Sequence, residues 1–263
     1  MKYWRILTTY WKAQIIWRFD VMMSVLLTVS RILLAYILWG AIYDGRAEVA
    51  GFTFMQMLTY YIVVSFLREL DMSSGTCEEF AHRIRNGLFS AYLVRPASVQ
   101  GHFFAQTAGV SAFYGMFQLL AAVLWVFVFR VKFWIACTPA ELTGALAMAG
   151  LGLLFMASMN YAISVLAFPF NDVQTFNMIK DNLMNFVTGT LIPLALLPAS
   201  IVSVMRALPF YYVAYLPSMI VIGRGAGEMH RGLVTLAVWT TFFLILGRAA
   251  HEAYRKKYDG VGI

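Results

Sequence analysis

Charge is what this 263-residue sequence has least of: 13% of its residues are Asp, Glu, Lys or Arg, while 61% are hydrophobic. Soluble domains carry roughly 25% charged residues, so a water-soluble core is excluded as the reading of the chain. Cysteine is scarce as well. Cys77 and Cys137 are the only two, and they are expected on opposite membrane faces, so no disulfide framework follows. Catalytic signatures are missing. There is no GxxxxGK(S/T) phosphate loop and no HExxH, and His82, His102, His230 and His251 lack metal-ligand spacing to one another or to cysteine. No serine or cysteine nucleophile with a positioned base can be read. A cleavable signal peptide is excluded because Lys12 and Arg18 interrupt any apolar core and no small-residue cleavage site follows. The alternating segments of an outer-membrane barrel are absent. The net charge of +7 is not taken as a nucleic-acid signature, because the basic residues gather at the ends of hydrophobic runs. No nucleic-acid partner is expected.

What the sequence does have is long stretches free of charge: Phe103 to Phe129, Leu142 to Asn171, Asn182 to Met205 and Gly232 to Gly247. Each is near or above the roughly 17–25 residues needed to cross a hydrocarbon core about 30 Å thick. The fold class is therefore all-α and polytopic, in one transmembrane domain over 1–263, without repeat, linker or soluble second domain. Six spans are expected, over approximately 21–43, 52–74, 103–129, 142–168, 173–192 and 230–249. Ahead of them, residues 2–18 set Trp4, Leu7, Trp11 and Ile15 against Lys2, Arg5, Thr9 and Lys12. That pattern predicts an interfacial helix in the headgroup plane, or else the frayed start of span one. An even span number puts both termini on one side. Lys2, Arg5, Lys12, Arg18, Arg83, Arg85, Arg95, Lys180, Arg248, Arg255, Lys256 and Lys257 fall on that side. Arg46, Arg130, Lys132, Arg206, Arg224 and Arg231 fall on the other, and the excess makes the termini cytoplasmic.

Three constellations stand out. In 78–98, "EEFAHRIRNGLFSAYLVRPAS", an apolar stripe of Phe80, Ile84, Leu88 and Ala91 opposes Glu78, Glu79, His82, Arg83 and Arg85, and Pro96 ends the segment. In span five, Gln174, Asn177, Asp181, Asn185 and Thr188 recur at steps of three and four, one polar stripe on one helix face. It lines a translocation path or a dimer axis, or it supplies hydrogen bonds between helices within the bundle; Lys180 beside it marks the cytoplasmic edge. Arg31, halfway along span one, costs roughly 2.5–3.5 kcal/mol on insertion scales and so needs a partner. Glu69 and Asp71, on antiparallel span two, are the candidates, with Glu69 paired to Arg31 as an intramembrane ion pair.

The stretch 191–223 is highly apolar yet contains Pro193, Pro198, Pro209 and Pro217, four of the chain's seven prolines. Its longest uninterrupted piece, Ala199 to Leu208, covers about 15 Å at 1.5 Å per residue and cannot cross. A re-entrant helical hairpin over 193–223 is expected, an external gate with Arg206 and Arg224 near the outer surface.

"IRNGLFSAYLVRPAS", followed by "GTLIPLALLP", "LPFYYVAYLP" and a C-terminal "KKYDGVGI", resembles the permease subunits of type-2 ABC exporters, in the branch of short six-span chains without an ATPase. The resemblance runs over nearly the whole chain. It implies that 78–95 is a coupling helix entering a cleft on a separate ATPase, with Phe80, Ile84, Arg85 and Leu88 as its coupling residues. It implies that 2–18 is the interfacial connecting helix and that the proline-rich stretch is an external re-entrant pair. It further implies a second permease copy or paralogue. No cofactor is then bound by this chain; ATP and Mg belong to the partner ATPase. The function expected is outward transport of a hydrophobic or amphipathic small molecule, peptide or lipid-like substrate across a bacterial inner membrane. The alternative is a gradient-driven carrier, which would want more deep carboxylates than the sequence has.

Overall fold

The computed structural model describes residues 1–94, 97–129, 133–170, 173–188, 194 and 197–257. Among them the chain is helical, and the one β pairing is an isolated bridge between Val49 and Phe52. The elements are α1 (Lys2–Ala13), α2 (Arg18–Tyr43), α3 (Phe54–Glu69), α4 (Ser73–Arg85), α5 (Ser90–Leu93), α6 (Val99–Phe129), α7 (Pro139–Val165), α8 (Gln174–Val187), α9 (Ala199–Met205), α10 (Leu216–Val221) and α11 (Met229–Tyr254). A π-helical turn over Tyr211–Tyr215 runs directly into α10.

Among the described residues, three helical stretches, Arg18–Tyr43, Pro139–Val165 and Ala226–Tyr254, are long and apolar enough to cross a membrane. Expected spans two and five come out shorter than drawn. α3 stops at Glu69 because the Asp71 carboxylate accepts hydrogen bonds from the backbone N–H and hydroxyl of Ser73, which closes one helix and opens the next. α8 ends at Val187, and residues 189–193, with Pro193, lie outside the described residues. At 16 and 14 residues, α3 and α8 span about 24 and 21 Å, short of a hydrocarbon core.

α7 is the centre of the bundle. It starts on a capping box, Thr138 and Glu141 exchanging hydrogen bonds with each other's backbone N–H, with Pro139 in the first turn. It packs most extensively against α11, and Gly247 of α11 meets the Tyr161 ring so closely that a Cβ there would lie 2.8 Å from Cδ1. Small residues at such crossings let helices approach, which is how bundles in lipid gain packing energy. α1 does not extend to residue 18: it ends at Ala13 and a turn over 14–17 leads into α2. The helix expected in the headgroup plane docks lengthwise on α6, through Tyr3 with Ser98, Leu7 with Gly109 and Trp11 edge-on to Phe113 at 5.4 Å.

The described part of the proline-rich stretch is built of short pieces: α9 is largely exposed, and the π turn with α10 is buried against α3, α7 and α11. Pro198 caps α9, which stops at Met205 rather than running to Leu208. Pro217 was expected to break the following segment and does not. The π turn absorbs it: the Leu216 N–H reaches back five residues to the Tyr211 carbonyl, and the widened ladder accommodates the missing donor one residue later. The longest helical piece is thus Tyr211–Val221, still about 16 Å long.

Candidate functional site

The stripe expected on span five is divided by the packing of α8. That helix packs through Val173, Asn177, Lys180, Met184 and Val187, all buried, a face rotated by roughly a fifth of a turn from the stripe. Asn177 and Thr188 go into the core, Asp181 and Asn185 are half-buried on its flank, and Gln174 is exposed. Thr188 presents its carbonyl to the Tyr60 hydroxyl at 2.9 Å.

Lys180 is the residue the sequence reading missed. Only 4% of its side chain is exposed, and its ammonium donates to Ser74 Oγ at 2.7 Å and Asn160 Oδ1 at 2.8 Å and forms an ion pair with Asp181 Oδ1 at 3.0 Å. Asn160, fully buried on α7, donates its Nδ2 to Ser73 Oγ at 2.5 Å, and Ser73 in turn donates to Asp71. One hydrogen-bonded chain therefore joins the α3–α4 turn, α7 and α8. The Cys77 thiol, one turn along α4, donates to Asn177 Oδ1 at 3.7 Å. Burial pushes this thiol up to about 12, the Asn177 contact pulling only weakly the other way. The signal for Lys180 was present: the steps Val173, Asn177, Lys180, Met184, Val187 form a packed heptad-like face, with the lysine standing where an apolar residue would.

The segment expected as one coupling helix over 78–95 is two pieces. α4 ends at Arg85, Gly87 takes φ +75, a conformation that strains any side chain, and α5 begins at Ser90; Arg95 lies outside the described residues. Phe80 and Ile84 do not face outward. They are buried with Phe89, Tyr92, Phe103 and Tyr161, so that stripe fixes α4 to the bundle. Arg85 and Leu88 are exposed, Leu88 by 56%.

Arg31 Nη1 donates to Glu69 Oε1 at 2.6 Å, while Asp71, the other candidate, is occupied by Ser73. At the end of the bundle away from α4, Arg206 pairs with Glu228 at 3.0 Å, and Arg224 lies over the Phe52 ring and donates to the Gly51 carbonyl. Pro209 leads into the π turn, Tyr212 N–H reaching its carbonyl at 3.0 Å.

Of the cavities that flank α3, the largest, about 1060 Å³, is almost wholly apolar, and two others carry polar walls. One, of about 360 Å³, is polar on one wall through Arg68, Asp71, Ser74, Asp181 and Asn185, and apolar on the other through Met156, Met184 and Val213. The second, of about 640 Å³, opens between α2 and α3, and Arg68 and Asn185 line it too. Among the described residues no group of three or more His, Cys, Asp or Glu could hold a metal ion.

No curated protein and no solved structure matches the sequence significantly. Residues 29–262 match the family model described as ABC-2 family transporter protein. That match runs from the middle of α2 through the α4 segment, the Lys180 junction and α11. This match, together with the apolar helices, leads to one conclusion: the chain belongs to the ABC-2 transporter family, as the membrane-embedded permease component, the ATPase in that family being a separate subunit.

Proposed function

We propose that this permease works as half of an ATP-driven exporter, with a second copy or a paralogue as the other half. A separate ATPase pair binds ATP and Mg and docks on the cytoplasmic segment that follows α3. The six-span topology with cytoplasmic termini, the inner-membrane location, the external re-entrant hairpin between spans five and six, and outward movement of a hydrophobic or amphipathic cargo belong to this reading. The observation that carries it is the Lys180 junction. A push on α4 reaches Ser73 and Ser74 within the same helix, and Lys180 passes it to α8, whose Asp181 and Asn185 border the polar cavity. A segment that only rested on lipid would have no need of such a link. The exposed tip, Arg85 to Leu88, is the docking surface, and the buried Phe80 and Ile84 make the segment rigid enough to transmit force.

The test separates the exposed tip beyond α4 from the buried face of α4. Leu88→Asp, alone or with Arg85→Glu, should leave the folded yield of the permease unchanged and strip the ATPase from the co-purified complex. Ile84→Asp should instead bring down folded yield, because it buries an unpaired carboxylate. If Leu88→Asp with Arg85→Glu retains the ATPase as well as the parent does, docking lies elsewhere and the coupling reading fails.

A further inference from the structure

The 640 Å³ cleft has a polarity that the export reading does not require. Its walls are one face of α2, Arg31, Leu34, Ala35, Leu38 and Trp39, against one face of α3, Tyr61, Ser65 and Arg68, with Asn185 of α8 at the rim. The two helices run antiparallel, so Arg31 stands level with Arg68, and Trp39 level with Tyr61, their rings 5.8 Å apart. Seven or eight helical residues separate the cationic end from the aromatic end on either wall, about 10–12 Å. Both cations lie at one end and the aromatic rings at the other, with Leu34, Ala35 and Leu38 between them, and no carboxylate is among the lining residues. Glu69 holds Arg31 from outside the cleft and fixes the guanidinium in place.

We infer that this cleft binds an anionic amphiphile, its carboxylate or phosphate-type head between Arg31, Arg68 and Asn185 and its apolar tail against Leu34, Leu38, Trp39 and Tyr61. The volume is that of an ordinary ligand site. Guanidinium groups are the cations best suited to planar, charge-assisted hydrogen bonds with such a head. The head also meets a stop. Beyond Arg68 and Asn185 lies the smaller cavity, and its Asp71 and Asp181 repel an anion while they would draw a cation inward. A tail alone would bury apolar surface but would forgo the charge-assisted hydrogen bonds that an anionic head can make at the cationic end of the cleft. The inference deepens the proposed export function by naming the class of cargo, and it rests on that reading.

Trp39 makes the site testable without transport. The permease–ATPase complex is placed in uncharged phosphatidylcholine nanodiscs and titrated with terminally brominated dodecanoate, the matching brominated alcohol and the matching trimethylammonium compound. The bromine quenches tryptophan at short range, and the Trp39→Phe variant gives the part due to Trp39. The acid should quench Trp39 at lower concentration than either other probe. Arg68→Gln should weaken its binding by about tenfold or more, and Arg68→Lys by less, since charge survives and the fork is lost. Equal quenching by acid and alcohol in the parent overturns the site, a result that needs no variant to fold. Two further arms identify the source of the anion. Relief of quenching on adding ATP marks the acid as cargo, whereas relief only on replacing the bilayer lipid with phosphatidylglycerol marks a lipid headgroup site. If the ATPase binds and turns over while acid and alcohol quench alike, the site falls and the export reading stands. If no ATPase joins the chain yet the acid alone quenches, the site stands and the export reading falls.

Discussion

Two stretches meet α7 within about two turns of each other, and they are held by opposite physics. At Gly152 the backbone of Val213 approaches so closely that a Cβ would lie 3.2 Å from its Cα, and Tyr211 to Leu216 are buried among aromatic and aliphatic side chains. At Asn160 the contact is a lysine, an asparagine and two serines. The first contact works by shape and volume, is indifferent to small displacements of a polar group, and loses energy in proportion to the space left empty. The second works by a fixed set of donors and acceptors, and leaving one unmade in a dry place costs more than making it gains. A packed region of the first kind makes a rigid wall. A hydrogen-bonded joint of the second kind has discrete alternatives, which is what the proposed coupling of α4 to α8 asks of it.

Single substitutions should damage both stretches, and the rescue should tell them apart. Tyr212→Ala should cost about 3–5 kcal/mol through the cavity left by a fully buried ring, and Lys180→Met about 1–3 kcal/mol by leaving the buried Asn160 Oδ1 without its donor, Asp181 being half-exposed. Adding Asn160→Leu to Lys180→Met replaces polar partners by apolar ones of similar size, and thermal unfolding in detergent should recover most of the lost stability. Cargo transport by the ATPase complex should not recover. A double variant that is both stable and fully active would make the junction plain packing and dissolve the contrast between the two stretches.

The same contrast explains what the sequence disclosed. Hydrophobic run length marked α2, α7 and α11 to within a few residues at most ends, because lipid-length helices need only composition and charge-free span. The interruption of the proline-rich stretch was legible for a similar reason, since missing N–H groups are written in the residue names. The π turn before Pro217 was not, because it depends on how Tyr211 to Tyr215 seat against α7. The Arg31–Glu69 pair followed from cost alone, as a cation in a span needs an anion at matching depth. Lys180 was read as a marker of the membrane edge, because its partners come from Ser74 and Asn160, distant in sequence and individually unremarkable. Phe80 and Ile84 illustrate the reverse error. An amphipathic stripe states that a face is apolar and leaves open whether it meets a partner or its own chain.

A smaller effect is expected where charge stands outside the junction. Arg31 is paired like Lys180, but 58% of its side chain is uncovered. Its surroundings can therefore solvate the guanidinium, and the coupling to Glu69 should be about 1 kcal/mol or less. In a double-mutant cycle, Arg31→Glu and Glu69→Arg should each lower stability modestly, and the exchange should restore part of it. A coupling as large as that at Lys180 would show that the cleft is closed off from solvent and headgroups, and the distinction between buried joint and open rim would disappear.

The last prediction changes no stability and reads only access. Cys77 and Cys137 belong to the two ends of the bundle: Cys77 is buried in α4 beside Asn177, and Cys137 is half-exposed one residue before the Thr138 cap of α7. A thiol reacts as its thiolate, and with the Cys77 thiol pushed up to about 12 by burial, almost none is present at neutral pH. A maleimide added to the folded protein should therefore label Cys137 and leave Cys77 untouched until the chain is denatured. The contrast sharpens if the junction is loosened. Lys180→Met removes the ammonium that ties α8 to Ser74 one turn before Cys77, so the Asn177 contact should open and Cys77 should begin to label in otherwise folded protein. Tyr212→Ala, which damages packing next to Val213 rather than the joint, should leave Cys77 protected whenever folded protein remains. Equal labelling of Cys77 in both variants would mean that α4 and α8 open together with the bundle as a whole, and that no separate joint exists between them.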